Sequence, residues 1–448
     1  MRVRISPLTQ SVAHDPVVLT MPPDKSILHR LLFLGSLTTS SIRIPIASPQ
    51  SLSHDVIATV LALESLGVPI DLAEREINMQ GIGRHGYRAP SHVINCANSG
   101  TTARFLMGLL AGQPFPSTLT GDASLSRRPM KRVAEVLANM GASIETEDRG
   151  TMPVAIMGTP LHGTNIKLPV ASAQMKTAVL LAALFADGST TVRESARTRD
   201  HTERMMAAFG FGIEPLGEIT LDPETFSDVP EEIIYEIPGD LSSAAFMIAA
   251  AALLKRRLTI SGVSLNPSRT RFLEILTLMG LELEADDIIE EWNEPRGSLT
   301  IYADRLSSPL QPFHIDGRDV PLLIDELPIL MMFALFANGE CVLRGAGELR
   351  VKEADRIALV ARQFQAFGAD VQELEDGIII RGEAGRQLNS VPIEHGGDHR
   401  LAMAFSIASL FCDGPCEIPN AEAVAVSYPD FFEHLALIAG FDSIEVAR

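Results

Sequence analysis

The stretch Leu349–Arg356 (LRVKEADR) carries charged side chains of both signs, with two cations, Lys352 and Arg356, four residues apart. The next residues, IALVARQFQAFG, place apolar side chains at helical spacing and end on Gly368, which predicts a helix that begins at the charged stretch. Like charges four residues apart on a helix are mildly destabilising, and a helix start already carries the positive end of the dipole. A bound anion between the cations explains this placement, since helix N-termini bind phosphate and carboxylate groups. Neutralisation by the neighbouring acidic residues on a solvated face is the alternative.

Other helical segments of this chain also begin with polar or charged residues although their bodies are apolar. Ser, Asp and Asn are preferred helix caps, but capping does not explain Lys25 or Arg400, which oppose the helix dipole. Arg128 and Arg199 lie near the starts of amphipathic helices. Cations at repeated helix starts, on one end of a repeat architecture, predict a site for a multiply charged anion and favour that function for the charged stretch. The polar helix starts are Lys25 and Ser26; Asn98, Ser99 and Thr101; Ser172 and Gln174; Ser242 and Ser243; Asp325 and Glu326; and Asp398, His399 and Arg400.

Three other signals are weaker. The pair Asp398 and His399 could suggest a metal site or a nucleophile triad, but no second His or Cys lies at ligand spacing, so a role at a helix start is favoured. The segment GIGRHG (81–86) matches a dinucleotide-binding pattern, yet YRAPSH follows it where a helix is needed. Trp292, in EEWNEP, lies among acidic residues and is predicted to be partly exposed.

A repeated pattern must position these residues. A helix-like segment that ends in a glycine and an apolar, strand-like tail occurs six times, at steps of 69 to 88 residues. Between these segments runs a second series of six helices, hydrophobic nearly all round and therefore predicted to be buried. Six repeats in a chain of this length suggest three in each of two domains, with a break near IPGDLSS. The six glycines are Gly67, Gly141, Gly210, Gly280, Gly368 and Gly440.

Composition narrows the class of protein. The chain has 448 residues, of which 46% are hydrophobic and 21% charged, as in ordinary globular proteins. A net charge of −19 argues against binding nucleic acid or an anionic membrane, so an anionic ligand needs a local basic pocket. Four cysteines, 96, 341, 412 and 416, are too few for a disulfide scaffold, and we expect them to be buried and reduced. The start lacks the apolar run of a signal peptide, so we expect a soluble, cytoplasmic protein.

Nine motifs in order resemble the enolpyruvyl transferase family, and within it the shikimate-pathway branch. They are DKSILHR, NSGTTARF, GDASLSRRPM, SAQMKTA, TRDHTE, PGDLSSAAF, IDELPI, RVKEADR and DHRLAMAF. The resemblance implies an α/β fold of two domains, each of three βαβαββ repeats with buried inner helices, an inside-out α/β barrel with the active site in the interdomain cleft. We expect residues 1–21 with 241–448 to form one domain and residues 22–240 to form the other.

The resemblance also implies a reaction. The family branch transfers the enolpyruvyl group of phosphoenolpyruvate to the 5-hydroxyl of shikimate 3-phosphate and releases phosphate, with no metal or organic cofactor. We expect these two small-molecule substrates, no nucleic-acid or membrane partner, and a monomer. By resemblance, Asp325 is the base for the hydroxyl, Glu353 takes part in proton transfer at the enol carbon, and Lys25 touches both substrates. The remaining expected ligands of shikimate 3-phosphate are Ser26, Arg30, Ser172, Ala173, Gln174, Arg199, Asp325 and Lys352, and those of phosphoenolpyruvate are Asn98, Gly100, Arg128, Gln174, Arg356 and Arg400.

Some positions depart from the family pattern or bear on alternatives. Val426 stands where many relatives have Lys, and Ala173 where others have Ser, so one cation and one hydroxyl are missing. In relatives, alanine at the position of Gly100 gives resistance to glyphosate, a phosphonate that occupies the phosphoenolpyruvate site and extends further. The sister enzyme that acts on UDP-N-acetylglucosamine uses a Cys where this chain has Ala123. A non-catalytic paralogue that binds a phosphorylated metabolite is the other alternative, against which the intact Lys25, Asp325 and Glu353 argue.

Overall fold

The computed structural model describes residues 1–7, 15–214 and 218–447. These residues form two compact units. Unit 1 comprises Met1–Pro22, Pro238–Ile289 and Pro295–Arg448, and unit 2 comprises Pro23–Ile237 and Glu290–Glu294. Each unit has its own apolar core, as expected when a chain exceeds the size that one core supports. No helix within the described ranges combines the length and the hydrophobicity needed to cross a membrane.

The chain begins with two strands of unit 1, β1 (Arg2–Ile5) and β2 (Val17–Thr20), and then enters unit 2. The helices of unit 2 are α1 (Lys25–Ser36), α2 (His54–Ser65), α3 (Gly100–Ala111), α4 (Lys131–Ala138), α5 (Ala173–Ala183) and α6 (His201–Ala208). Its strands are β3 (Ser41–Pro45), β4 (Ile70–Leu72), β5 (Glu76–Gln80), β6 (Ile94–Asn95), β7 (Ser117–Thr120), β8 (Ser143–Thr146), β9 (Val154–Met157), β10 (Asn165–Lys167), β11 (Thr190–Arg193), β12 (Phe211–Glu214), β13 (Ile219–Phe226) and β14 (Glu232–Ile234).

The sheets of unit 2 share one pattern. Their strand orders are β6-β7-β9-β8, β10-β11-β13-β12 and β14-β3-β5-β4. In each sheet the first two strands are parallel and the other neighbours are antiparallel. A parallel pair requires a crossover helix, so each sheet belongs to one βαβαββ repeat. The first repeat takes its first strand, β14, from the end of the unit.

The rest of unit 1 follows residue 237. Its helices are α7 (Leu241–Leu253), α8 (Arg271–Leu278), α9 (Val320–Leu323), α10 (Leu327–Ala334), α11 (Arg356–Ala366), α12 (His399–Ser409) and α13 (Phe431–Ala439). Its strands are β15 (Arg257–Ser264), β16 (Leu283–Glu291), β17 (Glu294–Tyr302), β18 (His314–Ile315), β19 (Gly339–Leu343), β20 (Asp370–Leu374), β21 (Gly377–Gly382), β22 (Cys416–Ile418) and β23 (Ile444–Ala447). The turn end of the β16–β17 hairpin, Glu290–Glu294, groups with unit 2.

The sheets of unit 1 have the orders β16-β17-β15-β2, β18-β19-β21-β20 and β22-β1-β23. The first and the last of these contain a strand from the chain start. The β2 strand pairs in parallel with β15, as the first strand of its repeat. The β1 strand lies between β22 and β23 and is antiparallel to both. Two strands near the start of the chain therefore close two different repeats.

Both helical series predicted from the sequence are present, and the α/β class is confirmed. All six glycines of the amphipathic series follow their helices with positive φ, between 73° and 104°, a conformation in which helices commonly end and which glycine adopts without strain. The other series is buried: in α7, every residue from 241 to 252 is inside the core. Its Ala-rich sequence leaves no polar face, which is typical of a helix surrounded by other elements. The inside-out barrel arrangement stays a prediction.

Candidate active site

The first helix start of unit 2 holds a lysine against a carboxylate. Lys25 is the first residue of α1, and the cap residue Asp24 accepts a hydrogen bond of 2.8 Å from the backbone N–H of Ser26. The Nζ of Lys25 lies 2.9 Å from Oδ2 of Asp55, on α2, and the two side chains are only 16% and 12% exposed. The sequence predicted Lys25 and Ser26 but not Asp55, because an acidic residue in the first turn of a helix is expected there on dipole grounds alone.

Arg30 is fixed from several sides in the same unit. Its Nε donates to Oγ1 of Thr202 at 2.7 Å, its Nη1 to the carbonyl of Ser26 at 2.7 Å, and its Nη2 to Oγ1 of Thr177 at 3.2 Å. The guanidinium also lies 5.2 Å from the ring centre of Phe105, at cation–π distance. These contacts join the starts of α1, α5 and α6, so the guanidinium has little freedom left.

Arg199 precedes α6 by two residues and is buried. Burial lowers the pKa of Arg30 to about 10; the carboxylate of Glu203 raises it, and the nearby guanidinium of Arg199 lowers it further. Glu203 in turn lies 2.6 Å from the buried ammonium of Lys176. Two buried arginines that repel one another are the arrangement expected of a site for a doubly charged anion.

The start of α3 brings three predicted residues together. Asn98 accepts a hydrogen bond of 2.6 Å from Nη2 of Arg128 through Oδ1, and donates through Nδ2 to Asp122 at 2.6 Å. Gly100 is the first residue of α3. A methyl group added at Gly100 would lie 2.6 Å from Nη1 of Arg104 and 3.4 Å from Nη1 of Arg128. The glycine therefore leaves room beside two guanidinium groups.

The start of α5 is tied to α3 through Gln174. Its Oε1 accepts from Nη1 of Arg104 at 2.7 Å, and its Nε2 donates to Oγ1 of Thr101 at 2.8 Å. Ser172 caps α5 through its hydroxyl, and Ala173 is the first helical residue. The sequence analysis did not identify Arg104. This residue lies among the apolar residues of α3, where nothing in the sequence shows that its side chain reaches the helix start.

In unit 1, Arg356 is buried between two carboxylates. Its Nε donates to Asp398 at 2.7 Å and its Nη2 to Glu353 at 2.8 Å. Its Nη1 is buried and has no hydrogen-bond partner among the described residues. Burial acts to lower the pKa of Arg356, but the charges of Asp398 and Glu353 outweigh it and raise that pKa. The buried Nη1 can therefore donate a hydrogen bond to a bound anion.

The structure corrects the predicted geometry of the charged stretch. Lys352 does not lie on α11. It follows a short 3-10 helix, Gly347–Val351, and its own backbone is extended. Asp355 caps α11 by accepting from the backbone N–H of Ala358 at 3.0 Å, so the helix begins at Arg356. The prediction that Lys352 and Arg356 share a helical face is wrong. The alternative is wrong about a solvated face, because the side chain of Arg356 is 1% exposed, but Glu353 does pair with Arg356 as that alternative expected.

Arg400 and Asp325 form the second pair of unit 1. Nη1 of Arg400 donates to the backbone carbonyl of Asp325 at 3.0 Å, and its Nη2 lies 3.2 Å from the Asp325 carboxylate. Asp398 caps α12 by accepting from the backbone N–H of Arg400 at 2.9 Å, and His399 is the first helical residue. The predicted helix-start role of Asp398 and His399 is therefore confirmed. The sequence missed that Asp398 also pairs with Arg356, because 42 residues separate the two.

Each unit thus presents cations that carboxylates hold in place, at or beside helix starts. Such groups bind phosphate and carboxylate ligands, and a carboxylate beside an arginine can exchange a proton with a bound substrate. Within the described ranges, no three His, Cys, Asp or Glu side chains are grouped so that they could hold a metal ion. Val426 ends a short 3-10 helix, Ala421–Val426, and is partly buried.

Comparison with known proteins gives consistent matches. A family model described as EPSP synthase (3-phosphoshikimate 1-carboxyvinyltransferase) matches residues 15–435. A protein named 3-phosphoshikimate 1-carboxyvinyltransferase from Parasynechococcus marenigrum is 44% identical over 424 residues, 93% of each chain. One of the same name from Acidithiobacillus ferrooxidans is 45% identical over 416 residues, 92% of each chain. The solved structure of EPSP synthase from Acinetobacter baumannii is similar with a TM-score of 0.82 and 39% identity, over 100% of both chains.

Proposed function

This chain belongs to the EPSP synthase family, and from that membership we propose that it transfers the enolpyruvyl group of phosphoenolpyruvate to the 5-hydroxyl of shikimate 3-phosphate, with release of phosphate. The observation that supports this most directly is the set of buried cations at helix starts in both units. Two multiply charged anions must bind to a protein of net charge −19. A local concentration of arginine and lysine can reverse the potential where these anions bind.

We propose that unit 2 supplies most ligands of shikimate 3-phosphate. Arg30 and Arg199 are suited to its phosphate because both are buried and each can donate two hydrogen bonds to oxygen. Lys25 is positioned by its ion pair with Asp55, and we propose that it contacts both substrates. The proposed ligand set is Lys25, Ser26, Arg30, Ser172, Ala173, Gln174, Arg199, Asp325 and Lys352.

Phosphoenolpyruvate is proposed to bind the other arginines. Arg128 is oriented by Asn98, and Arg356 has a buried Nη1 available for an anion. Bidentate arginines also orient the phosphate as a leaving group. The proposed set is Lys25, Asn98, Gly100, Arg128, Gln174, Arg356 and Arg400.

The chemistry requires two proton transfers. The 5-hydroxyl oxygen attacks C2 of phosphoenolpyruvate while a proton is added to C3, which gives a tetrahedral intermediate. The C2–O bond to phosphate then breaks, and C3 returns a proton to restore the double bond. We propose Asp325 as the base that accepts the hydroxyl proton and Glu353 as the group that transfers the proton at C3. Each of these carboxylates lies beside a cation, Asp325 beside Arg400 and Glu353 beside Arg356.

A phosphate-release assay tests the proposal. Phosphoenolpyruvate is supplied with either shikimate 3-phosphate or UDP-N-acetylglucosamine, and release is expected only with the first. Release with the second alone would identify the sister activity, although Ala123 lacks the thiol which that enzyme uses. No release with either would indicate a binding protein without catalysis.

We further propose that units 1 and 2 are the two domains, that the enzyme is a cytoplasmic monomer and that it needs no metal or organic cofactor. Equal turnover before and after treatment with a chelator, together with the mass of one chain in light scattering, would support the last two proposals. Loss of activity on chelation would contradict the proposal that no metal is needed, and a mass of two or more chains would contradict the proposed monomer.

A further inference from the structure

The turn segment Glu290–Glu294 connects β16 to β17, yet it packs within unit 2. Trp292 and Asn293 at its centre have φ of 53° and 64°. Two-residue hairpin turns adopt this left-handed geometry, for which glycine and asparagine are the usual residues. A tryptophan with positive φ is a backbone outlier, and such strain persists only where surrounding contacts over-determine it. The turn segment is therefore held by specific contacts.

The ring of Trp292 supplies some of them. It stacks on Tyr235, with ring centres 6.0 Å apart and planes 16° apart, and it meets Phe209 edge-on at 5.5 Å. Its Nε1 donates to the carbonyl of Ile234 at 3.3 Å. The sequence predicted a partly exposed tryptophan, and Trp292 is indeed partly exposed, but its inner face anchors the turn segment.

The polar groups of the turn segment contact the first turns of α6. Nη1 of Arg204 donates to the carbonyl of Asn293 at 2.8 Å, and Nδ2 of Asn293 donates back to the carbonyl of Arg204 at 3.1 Å. Oε1 of Glu294 lies 2.7 Å from Nδ1 of His201, the first residue of α6, and these two side chains are 1% and 0% exposed. A fully buried charge-assisted contact at a helix start fixes both its position and its rotation.

The start of α6 carries groups that the proposed phosphate site uses. Thr202 follows His201 and accepts the hydrogen bond from Nε of Arg30 at 2.7 Å. Arg199 lies two residues before His201. Burial is the main cause that lowers the pKa of Arg30, and the carboxylate of Glu294 acts in the opposite direction and raises that pKa. Glu294 can therefore affect both arginines without touching the ligand.

We propose that Glu294 is a positioning residue for shikimate 3-phosphate: through His201 it holds the start of α6 so that Arg30 and Arg199 converge on the substrate phosphate. This inference rests on the proposed function and on the assignment of these two arginines. Phosphoenolpyruvate, assigned to Arg128, Arg356 and Arg400, does not depend on α6. Loss of Glu294 therefore weakens the binding of shikimate 3-phosphate and leaves the binding of phosphoenolpyruvate unchanged.

The test compares Glu294→Ala, Glu294→Gln and the control Glu290→Gln, which removes an exposed carboxylate from the same turn segment. Glu294→Ala is expected to raise KM for shikimate 3-phosphate about fivefold or more, because misplaced binding groups lose part of their contact with the substrate. Its KM for phosphoenolpyruvate and its kcat should stay within about twofold. Glu294→Gln, which keeps the shape and a hydrogen bond to His201, should recover part of the loss, and Glu290→Gln should match wild type.

A double variant separates positioning from general destabilisation. In an Arg199→Gln background, Glu294→Ala should raise KM for shikimate 3-phosphate by less than it does alone, because the two residues act in one unit. Additive effects, or equal increases in KM for both substrates, would overturn the proposal. Wild-type behaviour of Glu294→Ala would overturn it while leaving the proposed function intact, whereas a wild-type chain without turnover would overturn both.

Discussion

At the scale of single residues, three cations of the candidate site have carboxylate partners in the structure. Lys25 faces Asp55, Arg356 faces Asp398 and Arg400 faces Asp325. An unpaired buried charge costs several kcal/mol, so these partners let the protein keep cations in place before an anion arrives. Asp325 and Glu353 differ from Asp55 and Asp398 because our proposal gives them a second task, proton transfer.

The first prediction concerns Asp325→Asn, which keeps the shape of the side chain and a contact with Arg400 but removes the base. Turnover should fall by about 10²–10⁴-fold, the usual contribution of general acid–base catalysis. Binding of shikimate 3-phosphate, measured by calorimetry, should change little. Asp286→Asn, at an exposed position of the same unit, is the control. A fall in turnover of less than about tenfold would exclude Asp325 as the base.

The second prediction concerns Gly100→Ala. The added methyl lies 2.6 Å from Nη1 of Arg104, so the end of this side chain must move and its hydrogen bond to Gln174 is disturbed, at a cost of about 1 kcal/mol. Glyphosate extends further than phosphoenolpyruvate, so the ratio of its inhibition constant to KM for phosphoenolpyruvate should rise at least about fivefold, the change in affinity that corresponds to 1 kcal/mol.

The matched control for Gly100→Ala is Gly347→Ala, where an added methyl meets no atom within 4 Å. This variant should keep the wild-type ratio. An unchanged ratio in Gly100→Ala itself would place Gly100 away from the extra length of the inhibitor.

At the scale of elements, a chain of side-chain hydrogen bonds links helices α1, α2 and α3 of unit 2. Nδ1 of His29 on α1 lies 2.7 Å from Oγ1 of Thr59 on α2, which lies 2.6 Å from Oγ1 of Thr102 on α3. Thr102 in turn donates to the cap residue Ser99 at 2.7 Å. Such networks fix three helices relative to one another, and burial of the imidazole disfavours its charged form.

The third prediction follows from that burial, which lowers the pKa of His29 from 6.5 to about 3. The folded pKa lies below the unfolded one, so the unfolded chain binds the proton first. The contribution of neutral His29 to stability is fully present above about pH 6.5 and is lost as the pH falls toward 3. Between pH 7 and pH 5, wild type should lose about 2 kcal/mol more of its unfolding free energy than His29→Leu.

Denaturant unfolding at both pH values measures this difference. Comparing wild type with His29→Leu cancels the titration of groups that both chains share. His54→Gln, which replaces an exposed histidine on α2, should keep the wild-type pH dependence. If the unfolding free energy of His29→Leu also kept the wild-type pH dependence, the imidazole would not be held neutral in the folded state.

At the scale of the whole molecule, the chain start completes repeats that the rest of the sequence leaves open. The β1 strand pairs with β22 and β23, more than 400 residues further along: Val3 is opposite Ile418 and Val446. In the same way β14 completes the first repeat of unit 2 beside β3. Insertion of β1 between β22 and β23 pairs one edge of each strand, which would otherwise be open to pairing with other chains.

The fourth prediction tests this closure with Val3→Asp. Val3 has no exposed surface and Arg4, beside it, points to the other face of the sheet. A buried, unpaired carboxylate should lower the free energy of unfolding by at least about 3 kcal/mol, seen as a lower midpoint in thermal or denaturant unfolding. Arg4→Gln on the same strand should change it by less than about 1 kcal/mol. Equal effects of the two changes would mean that β1 contributes little to the sheet.

The sequence by itself determined the features that local geometry sets. Helical spacing identified both helix series, the six glycines marked where the amphipathic helices end, and the polar types at helix starts pointed to an anion site. All of these depend on neighbours within about one helical turn. The error at Lys352 was also local: Asp355 caps α11 and so excludes Lys352 from the helix.

Only the tertiary structure decided which groups meet. Asp55 pairs with Lys25 across 30 residues, Asp398 with Arg356 across 42, and Thr202 with Arg30 across 172. Such pairs depend on how helices and strands pack, and many side chains of the right type compete for each partner along the chain. The place of β1 between β22 and β23 is likewise decided by the tertiary structure. Strand pairing is set by closure of the whole repeat and not by the four residues of the strand.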